Sequence, residues 1–222
     1  MMSQMLAHYA SAQSLVGTIK MTQSAQGVSL HITTELQYDR PSMLYIRQIR
    51  DGSRPKVWTV TSNGSIWSYD RPDNQDAHMG PNRHVEYVTQ NNITMKLSDF
   101  FGAASHSLGD MNPMLISAIS NPDWLRRLTG QWATLVDKGS TKINGQVVEE
   151  IAGKYRDGVG HSQSGDFEAY VSDAGDLVKY VLYQRMAITG VTKGAVDIMT
   201  VWESNLQVGA TTNKDLYQPI LR

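Results

Sequence analysis

The sequence predicts an α+β, mainly β fold: a single curved antiparallel sheet with a few short helices over its hollow side. Three observations carry this. Period-two alternation of apolar and polar residues recurs along most of the chain. Hairpin dipeptides punctuate it, among them Asp51-Gly52, Asn63-Gly64 and Asn144-Gly145. Several strands are apolar on both faces, whereas an antiparallel sheet usually wets one of them, and the helical stretches are too short to cover both sides of so long a sheet. A bent sheet with its concave side part-filled by helices and part-hollow meets that demand.

The elements follow in order. Met2, Met5, Leu6 and Tyr9 fall at i, i+3, i+4 and i+7, so the chain opens with a short helix. Leu15, Gly17, Ile19 and Met21 then alternate with polar neighbours, and "SAQG" at 24–27 marks a turn. Leu30, Ile32, Thr34, Leu36 and Tyr38 share one face of the next strand. After Arg40-Pro41 come "MLYIRQI", "KVWTV" and "SIWSY", and "RHVEYVT" at 83–89 extends the meander to roughly five or six strands. "MLYI" sets Met43 and Tyr45 on one side and Leu44 and Ile46 on the other. Residues 94–128 break the pattern. Asn112 and Asn121 each precede a proline, an N-cap with Pro at the first helical position, so two or three short helices are expected there. Strands resume with "WATLVDKG", "INGQVVEEIAGKY", "GDFEAYVS", "DLVKYVLYQRM" and "AVDIMTVWESNLQV", and the tail "DLYQPIL" is expected to be extended. No linker or fixed-period repeat divides the chain, so residues 1–222 are read as one domain.

Composition removes several function classes. With 20 Lys and Arg against 21 Asp and Glu, and no basic run, a nucleic-acid partner is not expected. The absence of cysteine removes disulfides, thiolate metal sites and Cys nucleophiles. No apolar run reaches the length of a membrane-spanning helix. The opening "MMSQMLAHYASAQ" lacks the basic and continuous apolar regions of a secretory leader. There is no GxSxG, Walker or dinucleotide fingerprint, and no HExxH pattern around His78, His84 or the other four histidines. A metal site, a cofactor and an enzymatic activity are therefore not expected, although a hydrolase triad could assemble from residues distant in sequence.

The order of motifs resembles a known family. A starting helix, a hairpin, Arg40-Pro41 introducing the next strand, "VTSNGSIWSYDRP" at 60–72, a helical insert, "INGQVVEEI" and "SDAGDLVKY" at 172–180 run as in the LolA-like carriers of bacterial lipoproteins and the amino-terminal domain of RseB-type sensors. The resemblance spans almost the whole chain. It implies an incomplete β-barrel closed by a helical lid around an apolar cavity. It implies a periplasmic, monomeric, non-enzymatic carrier that shields lipoprotein acyl chains on the way to the outer membrane, with an ABC-type exporter and an outer-membrane acceptor as partners. The alternative within the same fold is a module that senses lipid or peptide in envelope regulation. It also implies that Arg40, with Pro41, latches the rim to the lid through lid carbonyls, which the fixed fork of a guanidinium suits. The plainer reading is a solvated Arg40 beside a proline that starts a strand.

The expected cavity wall is Leu36, Leu44, Ile46, Trp58, Val60 and Trp67, with Met95, Phe100, Phe101, Met114 and Leu115 from the lid. Trp58 and Trp67 either share that wall or turn one indole outward to satisfy its N–H. Phe100, Phe101 and Trp124 either plug an empty hollow or form an ordinary core. The eleven methionines, Met95, Met111 and Met114 foremost, suit either core filling or a pocket that repacks around variable chains. The polar loop 70–83 and the polar residues Arg47, Gln48 and Arg50 depart from the family pattern and leave the cargo open. Asp39 and the pair Glu149-Glu150 read as surface charge.

Overall fold

A computed structural model describes residues 1–53, 55–70, 85–88, 115, 119, 135–156, 164–188 and 194–219. They include the α-helix α1 (Met2–Ser11) and eleven strands. The strands are β1 (Ser14–Ala25), β2 (Val28–Asp39), β3 (Met43–Arg50), β4 (Lys56–Asn63), β5 (Ile66–Asp70), β6 (Val85–Val88), β7 (Val136–Ile143), β8 (Gln146–Arg156), β9 (Ser164–Ser172), β10 (Leu177–Ile188) and β11 (Gly194–Val208). Their order in the sheet is β6-β5-β4-β3-β2-β1-β11-β10-β9-β8-β7. β2 through β6 pair antiparallel, as do β7 through β11. The hairpin between β7 and β8 turns on Asn144 (φ 50°) and Gly145 (φ 84°), two left-handed residues in succession, which matches the twist of the strands it joins. The lid expected over 94–128 lies outside the described residues except for Leu115 and Ile119, which are helical and buried. Among the described residues no helix is long and apolar enough to cross a membrane.

Contacts divide the chain into two compact units. The first comprises Met1–Ser11, Lys20–His31 and Met111–Ser204. Here α1 buries Met2, Met5, Leu6 and Tyr9, the face that the sequence spacing selects. Three side chains fix it to the turn between β9 and β10. Gln4 Nε2 donates to the Asp173 carbonyl at 2.8 Å, His8 Nε2 lies 3.0 Å from Asp176 Oδ1, and the Leu177 N–H donates to Tyr9 Oη at 3.0 Å. Gly175 (φ +94°) permits the approach, because a Cβ there would stand 3.1 Å from that of His8. Register lines up Ile151, Ala169, Tyr180 and Trp202 across β8–β11, and Gly153, Phe167, Leu182 and Thr200 in the next row. Phe167, Tyr180 and Trp202 form a chain of rings with centroids 5.6 and 5.5 Å apart. Gly153 makes room for it, since a Cβ would sit 2.8 Å from both Phe167 and Leu135.

The second unit comprises Ala12–Ile19, Ile32–Asp110 and Asn205–Arg222. Its strands bury side chains on both faces. On one face Gln37, Tyr45, Thr61 and Ser68 stand in register across β2–β5, and the buried Thr61 and Ser68 hydroxyls share a hydrogen bond at 2.7 Å. The chain's tail is drawn to this face. Thr212 Oγ1 donates to Asp39 Oδ2 at 2.5 Å and the Asn213 N–H donates to Gln37 Oε1 at 2.8 Å. The extended tail expected from the sequence is instead a 3-10 turn at Lys214–Tyr217, packed on β3 and β4. Asn213 supplies the reason: its side chain accepts from the Asp215 N–H and caps the turn. Tyr217 is fully buried there. Asp39, expected as surface charge, is an anchor for this tail.

Candidate functional site

The opposite face of the second unit is the candidate site. Alternation along β2 puts Ile32, Thr34, Leu36 and Tyr38 on it, all buried. Pairing then builds rows across the strands. Leu36 stands beside Ile46, Ile46 beside Val60, and Val60 beside Tyr69. Tyr38, Leu44, Ser62 and Trp67 form the row on one side. Thr34, Gln48 and Trp58 form the row on the other. The six strand residues that the sequence assigns to a cavity wall thus occupy one face. Leu36, Leu44, Ile46 and Val60 are almost fully buried and Trp58 is half-buried; for Trp67 the structure gives the register position alone. Leu115, from the expected lid, is buried in the first unit. Met95, Phe100, Phe101 and Met114 lie outside the described residues.

The wall is not uniformly apolar. Thr34, Gln48 and Ser62 are buried in it, and Gln48 Nε2 donates to Thr34 Oγ1 at 3.3 Å. Burying an amide without a partner costs about 1–3 kcal/mol, so the Thr34–Gln48 bond is what makes this pair tolerable. Gln48 reads in the sequence as a polar departure; the structure puts it inside the wall rather than at a strand end. Arg47 points the other way and pairs with Glu35 at 3.1 Å.

Arg40 lies in the tight connection between β2 and β3, and its bond to Pro41 is cis. It is half-buried, not solvated. Its Nε donates to the Ala12 carbonyl at 2.6 Å, and its backbone N–H donates to the Gln13 carbonyl at 2.9 Å. These are the two residues that follow α1 in the chain. Its guanidinium carbon sits 6.0 Å from the centre of the Tyr38 ring, within reach of a cation–π contact. Burial raises the Tyr38 hydroxyl above its ordinary pKa, the Arg40 charge opposing the rise, so the phenol faces the wall uncharged. Tyr38 was legible as a wall residue from its alternation with Leu36. Ser62 had no such signal, since "TVTSN" alternates weakly.

Among the described residues no group of three His, Asp or Glu side chains is placed to hold a metal ion. The arrangement offers instead a buried apolar wall, a buried amide–hydroxyl pair and a guanidinium bound to the Ala12 carbonyl.

Neither a family model nor a curated protein sequence matches the chain. Solved structures do. The lipoprotein LppX of Mycobacterium tuberculosis is similar at 12% identity and a TM-score of 0.49, over 96% of this chain and 95% of its own. A chain of the Pseudomonas aeruginosa MucA/MucB complex is similar at 15% identity and a TM-score of 0.46; the match covers 98% of this chain but 60% of that one. A LolA superfamily protein of Nitrosomonas europaea is similar at 8% identity and a TM-score of 0.30, over 98% of this chain and 95% of its own.

Proposed function

We propose that this chain is a non-enzymatic carrier that shields the acyl chains of a lipoprotein from water during transfer to the outer membrane. One observation carries the reading: the in-register apolar rows of β2–β5, on the face turned away from the C-terminal turn. Each acyl methylene removed from water is worth about 0.8 kcal/mol, so a carrier must offer a broad aliphatic surface. Leu36, Leu44, Ile46 and Val60, flanked by Trp58 and Trp67, supply one. The residues of 94–128, Met95, Phe100, Phe101 and Met114 among them, are assigned to the opposing cover. Arg40 is assigned as the latch to carbonyls of that cover; the carbonyl of Ala12, which its Nε binds, belongs to the segment after α1 instead. Loading from an inner-membrane exporter and delivery to an outer-membrane acceptor belong to the same proposal, as does a periplasmic location. A second reading, a lipid- or peptide-sensing module, is favoured by the Thr34–Gln48 pair, which gives the wall a polar recognition point.

Organic extraction of the purified protein followed by mass spectrometry tests both. A diacylglyceryl-modified peptide in the extract supports the carrier, and free lipid supports the sensor. A clean extract, together with no fluorescence change when a long-chain acyl probe is added, rules out both.

A further inference from the structure

The first unit holds a groove of about 760 Å³ that the acyl-binding wall does not use. That volume is typical of small-molecule sites. The turn between β1 and β2, Ser24 to Gly27, closes one side, and the ends of β8–β11 form the rest. Register places Lys154, Asp166, Tyr183 and Met199 in one row across β8–β11, with Arg185 beside Asp197 one step along the same face. Tyr183 and Met199 are 40% and 38% exposed, large apolar side chains left open side by side. Around them stand two ion pairs, Lys154–Asp166 and Arg185–Asp197.

The chemistry of this lining narrows the ligand. Among the described lining residues two cations face two carboxylates, with Glu168 beside Tyr183, so no cluster of one sign marks the groove as an anion site. It does carry donors and acceptors in close alternation beside an aromatic ring. Burial and the neighbouring Glu168 charge hold the Tyr183 hydroxyl above its ordinary pKa, so it remains a donor, 3.5 Å from Glu168 Oε2. The strands lining the groove lie inside the sheet order, with β8 between β7 and β9 and β11 between β10 and β1, which disfavours an added peptide strand. An uncharged ligand rich in hydroxyls, with an apolar ring face, satisfies each of these features: hydroxyls both donate and accept, and the ring's C–H face stacks on tyrosine.

We propose that this groove binds a short uncharged oligosaccharide, with Tyr183 and Met199 as the platform and Lys154, Asp166, Arg185 and Asp197 as partners for its hydroxyls. The inference concerns the first unit and stands apart from the carrier reading.

Saturation-transfer difference NMR on the full chain, with maltotriose and chitotriose as probes and sn-glycerol 3-phosphate as the anionic comparison, tests it. Saturation transfer to at least one sugar is expected, weakened roughly tenfold in both Tyr183→Ala and Asp166→Ala. Exposed ion pairs add at most about 1 kcal/mol to stability, so both variants should melt near the parent temperature, which circular dichroism checks. No transfer to either sugar overturns the proposal. So does a sugar signal that persists in both variants, which would place binding elsewhere. Stronger transfer to glycerol 3-phosphate than to both sugars also overturns it, making the groove a phosphate head-group site.

Discussion

The two units fill a buried sheet face in different ways. In the first, Phe167, Tyr180 and Trp202 interlock as a chain of rings, and Gly153 is kept small so that they fit. In the second, the rows run Leu36–Ile46–Val60 and Thr34–Gln48–Trp58, mostly aliphatic and polar side chains with one indole and no ring stack among the residues described there. A ring stack is shape-specific, and removing one member leaves a hole the others cannot fill. An aliphatic wall makes many weak, interchangeable contacts, which a hydrocarbon chain could make equally well. The first surface is suited to holding a fold together; under the proposed carrier role the second receives a guest.

The sharpest way to break this contrast is to truncate each surface. Phe167→Ala should cost about 3–5 kcal/mol of stability, read from urea unfolding, while leaving acyl-probe affinity unchanged in the protein that remains folded. If Phe167→Ala abolishes probe binding in folded protein, the division of labour is wrong. Arg40→Leu comes next. It removes a charged donor from the Ala12 carbonyl at a cost of about 1.5–3 kcal/mol, and under the latch assignment it also speeds release of the acyl probe. An unchanged off-rate would leave the wall standing and remove the latch.

Alkaline pH probes the face that the tail covers. Burial, with the Asp39 charge adding to it and the Thr212 hydroxyl opposing it, pushes Tyr217 up to about 12 from its usual 10.0. A tyrosine whose folded pKa is raised keeps its full contribution below pH 10 and loses it as the pH climbs to about 12. Stability measured across that window should therefore fall, and Tyr217→Phe should flatten the fall by about 1.4 kcal/mol per pH unit, the worth of one proton. An identical slope in the variant would mean that Tyr217 ionises as freely in the folded chain as in the unfolded one.

How much of this was legible in the sequence depends on how far apart the cooperating residues lie. The Asn144-Gly145 hairpin and the buried stripe of α1 are encoded within a few residues, and both stand where the spacing places them. The row Leu36–Ile46–Val60 was legible because alternation fixes a face within each strand and short hairpins fix which faces meet. The tail's 3-10 turn was missed although Asn213 and Asp215 carry the capping signal, because no periodicity announces a four-residue element. The anchoring of the tail on β2 was not legible at all. It depends on Asp39 and Gln37 meeting Thr212 and Asn213, residues more than 170 positions away. The groove in the first unit is of the same kind: Lys154, Asp166, Tyr183 and Met199 come from four strands, and only the register joins them.

The finest test lies inside the wall. Gln48→Leu should strand the Thr34 hydroxyl and cost about 1 kcal/mol or somewhat more, as should Thr34→Val in stranding the amide. The double variant removes both partners and should cost close to nothing, because two apolar groups of similar shape replace a bonded pair. The acyl probe then separates the two functional readings. If the wall serves only to shield hydrocarbon, the double variant, with a more apolar surface, should hold the probe at least as tightly as the parent. If the pair is a recognition point for a polar part of the ligand, the double variant should lose discrimination between an acyl probe with a head group and a bare hydrocarbon of the same length. Equal discrimination in parent and double variant would leave the Thr34–Gln48 bond a purely internal fixture, and the polar row would drop out of the functional reading.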